Sequence, residues 1–126
     1  MKTAVYTPRA PKPAGPYSQA CIAGGFVFVS GQGPVDPASG QTQQAGIRAD
    51  TQLICENIKT ILESAGSSLR QVVKVTVYLS DINEWAAMNE VYATYFGGDQ
   101  SPARTTIQSA ALPRGFRVEM DCIAYR

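Results

Sequence analysis

The chain of 126 residues contains no histidine. Ser-His-Asp and Cys-His nucleophile pairs are therefore excluded. So are histidine metal sites and acid-base chemistry built on paired histidines. Any reaction must use carboxylates, arginine, lysine, tyrosine, hydroxyls, thiols or backbone groups. An excess of charge is lacking too, since 11 basic residues nearly balance 10 acidic ones. There is no electrostatic footprint for nucleic acid or an anionic membrane. Cysteines are few: Cys21, Cys55 and Cys122 form an odd, widely spaced set. That argues against a disulfide framework or a zinc cluster. They read as small buried hydrophobes in a reducing compartment. No stretch approaches the roughly 20 apolar residues of a membrane span, and "MKTAVYTPRAPKPAGPY" lacks the apolar centre of a signal peptide. The expectation is one soluble, cytoplasmic domain spanning residues 1–126, with no membrane partner.

What is present reads in the order β, β, β, α, β, α, β, β. Residues 2–7 are a short edge strand. Pro8, Pro11, Pro13, Gly15 and Pro16 then impose a loop that cannot join a sheet. The runs "YSQACIA" and "FVFVS" flank Gly24-Gly25, a hairpin signal. "GQGPVDPASGQ" superficially resembles a dinucleotide-binding fingerprint, but Pro34 and Pro37 follow at once and no helix opens there. Residues 46–65 repeat apolar side chains at helical spacing, with Ile47, Thr51, Ile54, Ile58 and Ile61 on one side and Gly66 as the stop. "VVKVTVYL" is a strand with Val73, Val75, Val77 and Leu79 on one face. Asp81 and Glu84 have capping-box spacing ahead of a second helix over 82–96. Its apolar stripe is Trp85, Met88, Tyr92 and Tyr95 or Phe96.

The fold class that follows is α+β: a mixed five- to six-stranded sheet with two helices packed on one face. The other face must meet water or a partner. In "FVFVS" both faces are apolar, which argues for a neighbouring subunit.

The last two strands, "RTTIQSA" and "FRVEMDCIAY", are separated only by "ALPRG" and read as a closing hairpin. Phe116, Val118, Met120, Cys122 and Ala124 form its apolar set. Burying Ile107 beside Val118 places Arg104 opposite Asp121 and Thr106 opposite Glu119. Arg104 and Glu119 are then diagonal neighbours about 7–8 Å apart, and a small planar anion fits between their tips. The plainer alternative is an Arg104–Asp121 pair on a solvated face, contributing under about 1 kcal/mol. Tyr17 and Ser30 are explained by turn chemistry, and Asn89 by the needs of buried backbone.

Six stretches, taken together and in order, resemble the RidA family of reactive-intermediate deaminases, also called the YjgF or UK-type family. They are "GPYSQA", "FVFVSGQGPVDPASG", "ENIKTILESAGSSL", "VVKVTVYLSD", "MNEVYATYF" and "PARTTIQSAALPRGFRVEMDCIA". The resemblance covers nearly the whole chain. It implies a chorismate-mutase-like fold and a homotrimer with clefts between subunits. It implies hydrolysis of 2-imino and enamine acids, such as 2-aminoacrylate and 2-iminobutyrate, to 2-keto acids and ammonium, without cofactor or metal. The family's carboxylate-binding arginine falls on Arg104 and its acidic site residue on Glu119. Cleft-lining residues fall on Tyr17, Ser30 and Gly31, with Asn89 nearby. Many members carry a cysteine where this chain has Thr106, so a thiol-dependent property is not carried over. In the resulting mechanism Arg104 grips the substrate carboxylate and Glu119 orients the attacking water. Backbone groups near Gly31 and Thr106 hold the imine nitrogen. Two other readings stand beside this one. The first is a non-catalytic module binding small keto or amino acids. The second, an endoribonuclease or translation inhibitor, is disfavoured by the missing histidine and the near-neutral charge.

Overall fold

A computed structural model describes residues 1–126. Six strands make one mixed sheet: β1 (Thr3–Val5), β2 (Ala20–Ala23), β3 (Phe26–Gln32), β4 (Val72–Leu79), β5 (Ala103–Gln108) and β6 (Val118–Tyr125). Two helices, α1 (Ile47–Ser64) and α2 (Trp85–Phe96), pack on one face. The strand order is β1-β2-β3-β6-β4-β5. No helix is long and apolar enough to cross a membrane.

Local chemistry sets each boundary. Gly24 and Gly25 both take positive φ, 57° and 82°, which closes the β2–β3 hairpin in a two-residue turn. The α1 helix ends on Gly66 at φ 82°. There Gly66 N–H donates to the Glu63 carbonyl and Ser67 N–H to the Leu62 carbonyl, a Schellman closure. The Asp81 side chain accepts from the Asn83 amide at 2.9 Å and starts a 3-10 turn, Ile82–Glu84, that leads into α2. The capping box is half made. Glu84 lies 3.5 Å from Arg117 instead of reaching back.

Ile54, Ile58, Ile61 and Leu62 of α1 and Met88 of α2 are fully buried against Val27, Val75, Val77, Val118 and Met120. Each such side chain contributes about 1.5–3 kcal/mol on burial. A bulge between Val72 and Lys74 corrects the expected face of β4. Val72 enters the core in place of Val73, which is 41 % exposed.

The closing hairpin does not form. β5 pairs only with β4, in parallel, through the β4–α2–β5 crossover. β6 instead inserts between β3 and β4, antiparallel to both. The physical reason is burial. β6 carries four alternating apolar residues, Val118, Met120, Cys122 and Ala124, and Phe116 continues the pattern just before it, all buried. A central position buries such a strand fully. β5, with Ile107 as its one large apolar side chain, is left at the edge, and Ile107 is 45 % exposed.

Candidate functional site

Arg104 belongs to the helix side of the sheet. In the parallel register Arg104 pairs with Val75 and Thr106 with Val77. Both therefore point to the face where Val75 and Val77 are buried. At the sheet's edge this face is only partly roofed by α2, so the guanidinium is half-buried. Its Nη1 donates to Asn89 Oδ1 at 2.7 Å. Its Cζ lies 4.6 Å from the Tyr92 ring centroid and 5.9 Å from that of Trp85. It makes no other hydrogen bond and no ion pair. The rest of its five N–H donors are free. Thr106 Oγ1, on the same face, is buried without a partner.

Glu119 belongs to the open side. It pairs with Tyr78 across β6–β4, alternating with the buried Val118 and Met120. Between Val29 and Gln32 a bulge puts one extra residue into β3, which re-aims that strand's end toward Glu119. Gly31 leaves room there for the Glu119 carboxylate. A Cβ at this position would run into the Glu119 carboxylate, which would have to move aside. Around the pair runs a groove of about 500 Å³ lined by Pro11, Pro13, Tyr17, Ser30, Gly31 and Glu119, a size that suits a small ligand. Burial in it, with Asp121 close by, raises the Glu119 pKa above the ordinary carboxylate value. Asp121 itself accepts from Tyr78 Oη at 2.9 Å, which raises the Tyr78 pKa.

The loop residues are stitched in place. Ser30 Oγ donates to the Ser18 carbonyl at 2.6 Å and its amide to the Gln19 carbonyl at 3.0 Å. Tyr17, half exposed, accepts from the Ala14 amide at 3.2 Å. Gln19 is the residue the sequence reading missed here. Buried, it accepts from the Thr7 amide and donates to the carbonyls of Thr7 and Pro11, pinning the proline-rich loop. No sequence signal marks it beyond its place between loop and strand.

The sequence reading put Arg104 and Glu119 side by side; in one chain they are not. They lie on opposite faces, two strands and three residues apart along the sheet, about 14 Å between backbones. Arg104 has no acid beside it, so the Arg104–Asp121 pair is absent as well. Tyr17, Ser30, Gly31 and Glu119 come together, and Arg104, Asn89 and Thr106 come together, as two separate groups. Trp85 and Tyr92, read as plain core, flank the guanidinium. Their spacing about Asn89, four residues before and three after, was the available signal. No three His, Cys, Asp or Glu side chains gather as a metal would need. A larger hollow, about 1020 Å³, opens between the start of β4 and the start of β5 and holds none of these residues.

Residues 7–126 match the family model described as "Endoribonuclease L-PSP". The chain is 51% identical over 125 residues to a RutC family protein of Pyrococcus abyssi, covering 99% of this chain and 98% of that one. It is 43% identical over 124 residues to the 2-iminobutanoate/2-iminopropanoate deaminase of Mus musculus, covering 98% and 91%. The crystal structure of RidA from the Antarctic bacterium Psychrobacter superposes with a TM-score of 0.93 at 40% identity, covering 98% and 99%.

Proposed function

The chain belongs to the endoribonuclease L-PSP family, which includes the RidA (YjgF) proteins, and from that premise we propose that it hydrolyses small 2-imino and enamine acids. The products are 2-keto acids and ammonium. One observation carries this reading. Arg104 is a half-buried guanidinium with no carboxylate partner of its own, clamped along one edge and free along the other. Such a group is suited to take a planar carboxylate by two parallel hydrogen bonds.

Glu119 supplies the proton chemistry. Water adds to the imine carbon while Glu119 takes its proton. An enamine enters as its imine tautomer, and with the imine protonated this addition gives a neutral carbinolamine. Glu119 returns the proton to nitrogen and then takes the hydroxyl proton as C=O forms and the C–N bond breaks, and the departing ammonia carries that proton away as ammonium. A carboxyl with a raised pKa suits both steps. The demand is small, since a 100-fold gain needs only about 2.7 kcal/mol. No cofactor or metal enters the steps.

Because the two groups lie on opposite faces of one sheet, the cleft is formed between protomers. Arg104 of one meets Glu119, Gly31, Ser30 and Tyr17 of the next, in a homotrimer. Support comes from the open face, where Phe26, Phe28 and Tyr125 are each more than 40 % exposed beside Ile123. So large an apolar area favours a partner over water. The compartment proposed is the cytoplasm.

The test generates 2-iminobutyrate with a threonine dehydratase and traps it with semicarbazide. Added protein should lower the trapped product, and Arg104→Ala should abolish the effect. Equal trapping with and without protein defeats the deaminase reading and favours a binding module. RNA cleavage lost on Arg104→Ala would favour the ribonuclease reading instead.

A further inference from the structure

The Arg104 guanidinium is held by two unlike contacts. The bond to Asn89 Oδ1 fixes one corner. A single hydrogen bond is a pivot, and about it the planar fork is free to swing. The Tyr92 ring lies 4.6 Å from Cζ and removes that freedom, because a cation prefers the face of an aromatic ring. Tyr92 is itself rigidly backed. It is 8 % exposed, and its ring stacks on Phe96 at 4.7 Å with a 33° tilt. Trp85 stands farther off at 5.9 Å and is 46 % exposed, so it forms the rim and not the floor.

We propose that Tyr92 is a positioning residue for carboxylate recognition: through its ring it holds the plane of Arg104 so that the free edge presents parallel N–H groups to the ligand. The inference rests on the reading that Arg104 binds the substrate carboxylate. The hydroxyl of Tyr92 takes no part, being buried without a partner. Burial pushes its pKa up to about 12, so the ring stays a neutral phenol at physiological pH and keeps its negative face.

Trp85 is the only tryptophan in the chain. Its fluorescence therefore reports occupancy beside Arg104 without reference to turnover. The experiment titrates the protein with 2-oxobutyrate, a stable keto acid, and follows that emission. Tyr92→Leu should weaken binding about fivefold or more, and Tyr92→Phe, which keeps the ring, should restore it to within about twofold of wild type. Phe96→Leu is the control for lost packing. It removes part of the backing behind Tyr92 but leaves the ring against Arg104, and should weaken binding clearly less than Tyr92→Leu does. In the trapping assay Tyr92→Leu should raise KM and leave kcat nearly unchanged, since the grip is affected and the water is not.

The inference is overturned if Tyr92→Leu binds like wild type, if Phe96→Leu is equally weakened, or if Tyr92→Phe is as weak as the leucine variant. It is also overturned if wild type shows no response to 2-oxobutyrate. The expected binding pattern with no effect on imine lifetime would defeat the deaminase reading and leave the role of Tyr92 supported.

Discussion

On the helix side of the sheet, Arg104 is a cation at the rim of an apolar layer, and aromatic rings hold it. On the open side, Glu119 shares its face with Asp121, Tyr78 and Lys74, and farther along with Phe26, Phe28 and Ile123. The first environment is closed by the chain's own helices. The second is unfinished, with large aromatics facing outward and a carboxyl whose pKa is already raised. Each group is prepared for chemistry that it cannot perform alone. Under the proposed function, the strand alternation that separates the two faces would make assembly a condition of activity.

The sharpest way to break this comparison is to mix two dead variants. Arg104→Ala and Glu119→Gln should each be nearly inactive as pure proteins. Co-expressed, they should recover roughly a quarter of wild-type activity, because that share of inter-protomer clefts inherits both intact groups. No recovery would place the two residues in independent sites. Next in size, Phe28→Lys buries a charge in the proposed contact. Sedimentation should show smaller species, with activity lost alongside; an unchanged oligomer and full activity would free the open face of that role. Gly31→Ala acts within one protomer. Its methyl group displaces the Glu119 carboxylate and should lower kcat about 10-fold or more with a smaller effect on KM. Equal kcat would mean the carboxylate tolerates the shift.

The smallest expected effect is on stability. The folded-state pKa of Glu119 is raised, so the native state binds its proton more tightly than the unfolded state does. Wild-type stability should fall as pH rises from the ordinary glutamate value through the raised one, and stay level beyond it. Glu119→Gln lacks this dependence. Thermal melts should show the variant gaining on wild type across that window. Parallel curves for the two proteins would mean that Glu119 is better solvated than the groove implies.

Much of the architecture was legible beforehand because it is written in local patterns. The element order, the Gly24-Gly25 turn, the Gly66 stop and the α1 face all follow from spacing and backbone chemistry. Short range also explains what was misread. Two strand-like runs, "RTTIQSA" and "FRVEMDCIAY", with five residues between them look like a hairpin, yet β5 and β6 are not neighbours. The bulge at Val73 is equally invisible in a run of valines, since either neighbour satisfies the alternation.

By itself the sequence determined which groups are available: one arginine, Arg104, and two carboxylates, Glu119 and Asp121, set within β-strands, and a chemistry without histidine. Parity along each strand determined which residues travel together, so Arg104 with Thr106 and Glu119 with Asp121 were separable from the outset. Only the tertiary structure decided how those strands are ordered. Burial of β6 between β3 and β4 is a competition among long-range contacts, and no local signal encodes its result. That ordering turned a supposed pair on one surface into two groups on opposite faces.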